Sequence, residues 1–210
     1  MISLTRLMFF IALVPSVVIH EYFHGRVAEL MGDKTARLAG RLTLNPIPHI
    51  DLFGTIILPL LLVISGSPIV FGWAKPVPIN PYNFKEPRKG MMYTGIAGPA
   101  SNLTMAAAAG FVFRFGLFSY TPIIENFLIY FALINIVLGV FNLVPVPPLD
   151  GSRIVSGLLP YELAKKYDRF EQYGMGILMV IFIFFNDILW AIIGPVINFF
   201  SHLFLGQYLF

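Results

Sequence analysis

The feature that most constrains this chain is an apolar run that begins at Leu7 and holds no charged residue except Glu21 before Arg26. A helix needs about 20 mostly apolar residues to cross a bilayer, and this run is long enough. Comparable runs recur along the 210 residues, of which 57% are hydrophobic and only 12% are charged. Soluble globular domains are not this apolar. The chain is therefore predicted to be an all-α polytopic membrane protein with the lipid bilayer as its surroundings.

Charge and cysteine content exclude other classes of protein. The net charge of +3 is small and falls in short loops between apolar runs, which indicates membrane orientation and no binding of nucleic acid. The chain has no cysteine, so it can form neither a disulfide nor a thiolate metal site.

The apolar pattern predicts one integral-membrane domain over residues 1–210, with about 4–6 transmembrane helices. Prolines, glycines and charges mark the boundaries between its segments. The predicted segments are a helix at 4–30, a hairpin and re-entrant region at 34–89, helices at 90–118 and 122–143, an amphipathic stretch at 152–170, and an apolar tail at 172–208.

The apolar segment 52–64 is predicted not to cross the membrane. It is shorter than a spanning helix and contains Pro59. Basic residues flank it on both sides, and the positive-inside rule assigns both flanks to the cytoplasm. We therefore expect a re-entrant or interfacial segment, a third long helix that runs inward, and a site that faces the cytoplasmic side. The flanking basic residues are Lys34, Arg37, Arg41, Lys75, Lys85, Arg88 and Lys89.

A metal-binding pentapeptide, His20-Glu21-Tyr22-Phe23-His24, lies inside the first apolar run. Residues four apart share one face of a helix, so both imidazoles can bind one metal ion while Glu21 stays free to transfer a proton. Ionisable groups within a membrane helix are costly, and they indicate function by default. The pattern predicts an intramembrane metallopeptidase.

A catalytic zinc site usually has three protein ligands and one position for water. Asp150 is a candidate for the third ligand, because it follows the inner end of the inward-running third helix and reaches a depth similar to that of the two histidines. Asp33 and Asp51, in the cytoplasmic loop region, are rival candidates. The residues alone leave this choice open.

Three motifs together resemble the site-2 protease family of intramembrane zinc metalloproteases. They are His-Glu-Tyr-Phe-His-Gly at 20–25, Gly-Pro-Ala-Ser-Asn at 98–102, and Asn-Leu-Val-Pro-Val-Pro-Pro-Leu-Asp-Gly at 142–151. The stretch Gly-Trp-Ala-Lys-Pro-Val-Pro at 72–78 is similar to the short prokaryotic subgroup that lacks appended PDZ or CBS domains. The first and third motifs together are highly specific, and the second alone is weak.

The resemblance implies one Zn²⁺ per chain, held by His20, His24 and Asp150, with Glu21 as general base and acid. It implies hydrolysis of a peptide bond within or near the transmembrane helix of a membrane-protein substrate. It also implies a prokaryotic plasma membrane as the location.

Two asparagines are candidates for contact with the substrate. The resemblance implies that Asn102 faces the site, where its amide would bind the substrate backbone or the oxyanion. Packing between helices is the alternative for Asn102. Asn142 is the second candidate, and it has the alternative role of satisfying carbonyls where its helix ends before Pro145.

The substrate helix must unwind before its backbone becomes accessible. An exposed strand edge would bind the unwound stretch, and the loose alternation over residues 36–44 predicts a membrane-associated β-hairpin there, as the resemblance also implies. Another set of residues, Arg153, Lys165, Lys166 and Arg169, is interpreted as an anchor to anionic headgroups.

Two other functions are compatible with parts of the pattern: a metal transporter, and a non-proteolytic protein that binds metal or sequesters transmembrane helices. A transporter of this kind often contains an inverted repeat, and none is found in the sequence. Glu21 lies intact between two intact histidines, which argues against lost chemistry. Homo-oligomerisation is left open.

Overall fold

The computed structural model describes residues 4–65, 72–118 and 121–207, and these residues form helices and irregular segments without any strand. Shorter helical turns, three of them 3-10 and one π-helical, connect the main elements. The α-helices are α1 (Leu4–Leu30), α2 (Thr35–Leu38), α3 (Leu58–Ile64), α4 (Pro87–Arg114), α5 (Pro122–Asn142), α6 (Asp150–Leu158), α7 (Tyr161–Asp168), α8 (Gly174–Phe184) and α9 (Asn186–Leu205).

Four helices are long and apolar enough to cross a membrane: α1, α4, α5 and α9. This confirms the prediction of an all-α, multi-pass protein. The tail is divided at Phe185, so that α8 has 11 residues and α9 has 20. Pro195 lies inside α9 without ending it.

Helix α4 is the centre of the bundle, because it packs against α1, α5, α6 and α9. Small residues on α4 allow these close approaches, as is usual between membrane helices. A Cβ atom added at Gly98 would lie 2.4 Å from His24 Nε2 on α1, and one added at Gly110 would lie 2.7 Å from the Phe204 carbonyl oxygen on α9. A Cβ at Gly95 would lie 3.1 Å from the Asp150 carbonyl oxygen on α6.

The main apolar core lies between α4, α5 and α9. Aliphatic side chains from α5 and α9 pack there against an alanine of α4. Its buried members are Ala106, Ile136, Val140, Leu189, Ile193 and Ile197.

The predicted β-hairpin at 36–44 is wrong. The side chain of Asp33 accepts hydrogen bonds from Thr35, and this begins the short helix α2. Gly40 then adopts φ +66°, and Arg41 N–H donates to the Ala36 carbonyl at 2.8 Å, so the local backbone groups are paired in a helical turn. The apolar residues of this stretch do not form one buried face, since Ala36 is fully buried but Leu38 is 84% exposed.

The segment after α2 is helical and short. A π-helical turn at Leu52–Ile57 continues directly into α3. The chain then returns as an extended stretch, residues 72–80, which we call the strap. The strap packs on the π-helical turn, because Trp73 lies against Gly54 at a distance that leaves no room for a Cβ atom.

Candidate metal and catalytic centre

The two histidines of α1 are buried, and each is oriented by a hydrogen bond at Nδ1. His20 Nδ1 lies 2.6 Å from Asn102 Oδ1, and His24 Nδ1 lies 2.6 Å from the Thr94 carbonyl oxygen. A carbonyl oxygen can only accept, so each Nδ1 carries the proton. In a neutral imidazole Nε2 then presents a lone pair, which is the tautomer that a metal requires.

Asp150 is the first residue of α6 and faces the same two Nε2 atoms. The neighbouring Gly151 makes this placement possible, since a Cβ atom there would lie 2.2 Å from the Leu143 carbonyl oxygen. Burial alone would raise the pKa of Asp150, but positive charge on the His24 and His20 imidazoles outweighs burial and holds the pKa below its usual range. With neutral imidazoles, a bound metal ion would supply that positive charge.

The three facing atoms form a triangle suited to a metal ion. His20 Nε2 and His24 Nε2 are 2.9 Å apart, and they lie 3.1 and 3.2 Å from Asp150 Oδ2. Ligands about 2.0–2.1 Å from a tetrahedral zinc ion are separated by about 3.3 Å, close to these distances. Asp150 Oδ2 is buried and has no hydrogen-bond partner within the described ranges. The donor set therefore fits zinc.

The rival carboxylates lie elsewhere or make longer contacts. Asp33 binds Thr35, Asn80 and Asn83, and Asp51 accepts from the Gly54 N–H at the start of the π-helical turn. Glu21 forms a wider group with the two histidines, whose ligand atoms lie within 4.8 Å of one another. Asp150 fits the third position better, because its contacts to both histidines are no longer than 3.2 Å.

Glu21 is held by the strap. Its Oε2 accepts a hydrogen bond of 2.8 Å from the backbone N–H of Val77. Pro76 and Pro78 flank Val77 and have no N–H groups, so Val77 supplies the donor at this point of the strap. One carboxylate oxygen is thereby fixed, and the second remains available for chemistry.

Asp33 fastens the strap at its other end. Its buried carboxylate accepts from Asn80 N–H at 2.7 Å and from Asn83 Nδ2 at 2.7 Å. Burial alone would raise the pKa of Asp33, but the hydrogen bonds from Thr35, Asn83 and Asn80 outweigh it and lower the pKa. The carboxylate of Asp33 therefore joins the chain that follows α1 to the strap and to the segment that precedes α4.

Asn102 is bonded on all sides to groups of the protein. It is fully buried, its Oδ1 accepts from His20, and its Nδ2 donates to Asn135 Oδ1 at 2.7 Å and to the Ser16 carbonyl at 3.2 Å. Both amide hydrogens are therefore used within the protein, and neither is directed at a substrate. Asn142 is partly buried and donates to the Leu138 carbonyl one turn earlier.

Sequence reasoning missed several residues that orient the site. Asn135 and Ser16 complete the network behind Asn102, with Asn135 Nδ2 donating to Ser16 Oγ at 2.8 Å. A polar Asn in the middle of the apolar helix α5 was the available signal. Gly98 begins the Gly-Pro-Ala-Ser-Asn motif, but the sequence does not predict its contact with the imidazoles. A glycine beside Pro99 within a long helix marks the close approach to both imidazoles.

Comparisons with known proteins agree with this chemistry. A model of peptidase family M50 matches residues 117–185. The chain is 41% identical over 180 residues to YwhC of Bacillus subtilis, an inferred zinc metalloprotease, with 82% of this chain and 78% of YwhC covered. No solved structure matches the chain at a significant level.

Two more distant relatives are longer than this chain. A zinc metalloprotease of Methanocaldococcus jannaschii is 30% identical over 158 residues, which cover 75% of this chain and 35% of the relative. An inferred zinc metalloprotease of Mycolicibacterium smegmatis is 26% identical over 168 residues, covering 80% of this chain and 63% of the relative.

Replacing Gly98 by Ala should weaken zinc binding. The new Cβ would lie 2.4 Å from His24 Nε2 and 2.6 Å from His20 Cε1, so the imidazoles must leave the positions in which they face Asp150. Overpacking of this kind costs about 1–3 kcal/mol, or roughly 5- to 150-fold in affinity. Competition with a chelator measures the affinity. Gly176→Ala, with open space around the added atom, is the matched control, and equal affinity in both variants would contradict the prediction.

Replacing Asn102 by Ala should lower zinc affinity by roughly 10- to 100-fold, because His20 loses the group that fixes its tautomer and ring orientation. The same chelator competition measures this, with the exposed Thr104→Ala on the same helix as control. Full zinc affinity with lost proteolysis would contradict the orienting role and favour contact with the substrate.

Proposed function

We propose that this chain, which belongs to peptidase family M50 (the site-2 protease family) and is a zinc metalloprotease, hydrolyses a peptide bond within or near a transmembrane helix of its substrate. One observation carries the proposal. Two imidazole lone pairs and an ionised carboxylate converge within 3.2 Å between helices that are apolar enough to span a membrane, with Glu21 one residue away. We further propose that residues 1–210 act as one integral-membrane domain.

His20, His24 and Asp150 are the residues proposed to hold one zinc ion per chain. When bound, zinc polarises the scissile carbonyl and lowers the pKa of a bound water towards ~7. Asn102 and Thr94 hold the two imidazoles in the tautomer that leaves both Nε2 atoms free.

Glu21 is the proposed general base and acid. Its Oε2 is held by Val77, so the free oxygen accepts a proton from the attacking water and then delivers it to the leaving amide nitrogen. Because the carboxylate is already oriented, it loses less conformational entropy on reaching the transition state.

The proposed substrate is the transmembrane segment of a membrane protein. A helical peptide bond is shielded by its own hydrogen bonds, so the segment must unwind to reach Glu21. The extended chain nearest to Glu21 is the strap, which supports an approach of the unwound stretch along this side. Asn142 is a further candidate for substrate contact, because its side chain is partly exposed. Its amide nitrogen donates one hydrogen bond, to the Leu138 carbonyl.

The Glu21→Gln variant tests the chemistry. It should bind zinc as the wild type does, because Glu21 is not a proposed ligand, and it should lose about 10²–10⁴-fold in cleavage of single-span substrates in detergent or liposomes. Zinc per chain and product formation are the two measurements. Glu171→Gln, a substitution at an exposed site, is the control. Zinc bound in both proteins without cleavage by the wild type would favour a helix-sequestering or metal-binding function.

We propose that the protein lies in a prokaryotic plasma membrane with its site towards the cytoplasm, in line with the basic residues that flank segment 52–64. The chain lacks cysteine, so single cysteines can report the side. A cysteine replacing the exposed Lys75 should react with an impermeant maleimide only in inverted vesicles. A cysteine replacing Thr121, before α5, should react only in intact cells. The reverse pattern would overturn the orientation.

A further inference from the structure

Arg153 is a cation beside the proposed metal ligands, and the functions assigned above do not use it. It lies in the first turn of α6, three residues after Asp150, and its Nη1 is 3.9 Å from Asp150 Oδ1. That distance is too long for a hydrogen bond. The side chain is 29% exposed, so a substrate can reach it. The sequence suggested that Arg153 is an anchor to lipid headgroups, whereas its guanidinium lies beside Asp150.

The guanidinium of Arg153 differs from those of Arg41, Arg88 and Arg114 in having no hydrogen-bond acceptor among the described residues. Arg88 donates to the Ser156 and Leu159 carbonyls, Arg41 to the Lys75 carbonyl, and Arg114 to the Leu203 carbonyl. These three residues tie helices and loops together. Arg153 keeps its donors available beside the site.

The backbone of α4 supports the aliphatic stem of Arg153. A Cβ atom added at Gly95 would lie 3.0 Å from Arg153 Cβ and 3.7 Å from its Cδ. The stem therefore lies directly on α4, one residue from Thr94, whose carbonyl orients His24. A long flexible side chain is thus confined near the ligands by the same helix that orients them.

The two oxygens of Asp150 face different groups. Oδ2 faces the imidazole nitrogens, and Oδ1 is the oxygen nearest to Arg153. The guanidinium charge is therefore separated from the proposed metal position by one carboxylate group. A fixed cation at such a place stabilises negative charge that develops in the transition state. The amide hydrogens of Asn102 cannot serve this purpose, because both are already bonded.

We infer that Arg153 is a catalytic residue that donates a hydrogen bond to the oxyanion formed from the scissile carbonyl. This inference rests on the proposed function. In the step, the water oxygen bonds to the carbonyl carbon, the C=O π pair moves onto oxygen, and Glu21 takes the water proton. Collapse reforms C=O, breaks the C–N bond and transfers that proton to the leaving nitrogen. Arg153 neither gains nor loses a proton.

Kinetics of Arg153→Gln and Arg153→Lys form the first test. Loss of an oxyanion donor lowers kcat by about 10²–10³-fold, with little change in KM. We expect this loss for Arg153→Gln, a smaller loss for Arg153→Lys, and full zinc content and thermal stability in both. Arg169→Gln removes the same charge from an exposed position and should retain wild-type kcat. In Arg153→Ala, added guanidinium ions should restore part of kcat.

A binding measurement makes the test independent of turnover. A phosphinic peptide built on the mapped cleavage sequence mimics the tetrahedral intermediate. Arg153→Gln should weaken its binding by the same factor as kcat, because only transition-state contacts are lost. Binding of uncleaved substrate should be equal in Glu21→Gln and in the double variant Glu21→Gln/Arg153→Gln.

The outcomes separate this inference from the proposed function. Cleavage by the wild type that is lost in Glu21→Gln supports the protease whatever Arg153 does. A change in KM alone, loss of zinc in Arg153→Gln, equal affinity for the phosphinic peptide, or no rescue by guanidinium would each overturn the role given to Arg153.

Discussion

The rest of the site depends on one constraint, which is that two imidazole nitrogens and a carboxylate oxygen lie close together inside a bundle of apolar helices. The Nε2 atoms of His20 and His24 and the Oδ2 atom of Asp150 lie within 3.2 Å of one another. With neutral imidazoles all three atoms present lone pairs, and the arrangement is repulsive unless a proton or a metal ion lies between them. The neighbouring helices therefore bring together three side chains that favour a bound cation.

Full hydrogen bonding of the polar groups behind the histidines provides this rigidity. Ser16, Asn102 and Asn135 come from three different helices, and both amide hydrogens of each asparagine are donated within the protein. A buried network in a low-dielectric interior stabilises one arrangement when it is satisfied and is costly when it is not. Among the described residues, Asn102 connects this network to the site through its contact with His20, so the network would act on a bound zinc ion through that imidazole.

The architecture and the chemistry could be predicted from the sequence, but much of the local geometry could not. Long apolar runs correctly predicted the all-α membrane fold, and the spacing of His20 and His24 predicted their shared face. The choice of Asp150 needed the resemblance, because residues alone did not separate it from other aspartates. The hairpin prediction failed because Asp33 and Gly40 direct a helical turn, and loose alternation over nine residues is a weak signal. The role of Asn102 depends on partners 33 and 86 residues away, which spacing does not reveal.

The strap holds the proposed catalytic carboxylate of Glu21 with a backbone N–H group and not with a side chain. Val77 lies between two prolines, so its N–H is directed at Glu21 with no neighbouring donor to replace it. The strap is fixed on one side by the π-helical turn at Gly54 and on the other by the anion of Asp33. Because the N–H belongs to the backbone, a shift of the strap as a whole would release Glu21, whereas a change in the Val77 side chain would leave the donor in place. The position of Glu21, the proposed proton-transfer group, is therefore coupled to the segment between α1 and α4. A substrate that displaced this segment would change the orientation of the Glu21 carboxylate without contacting it.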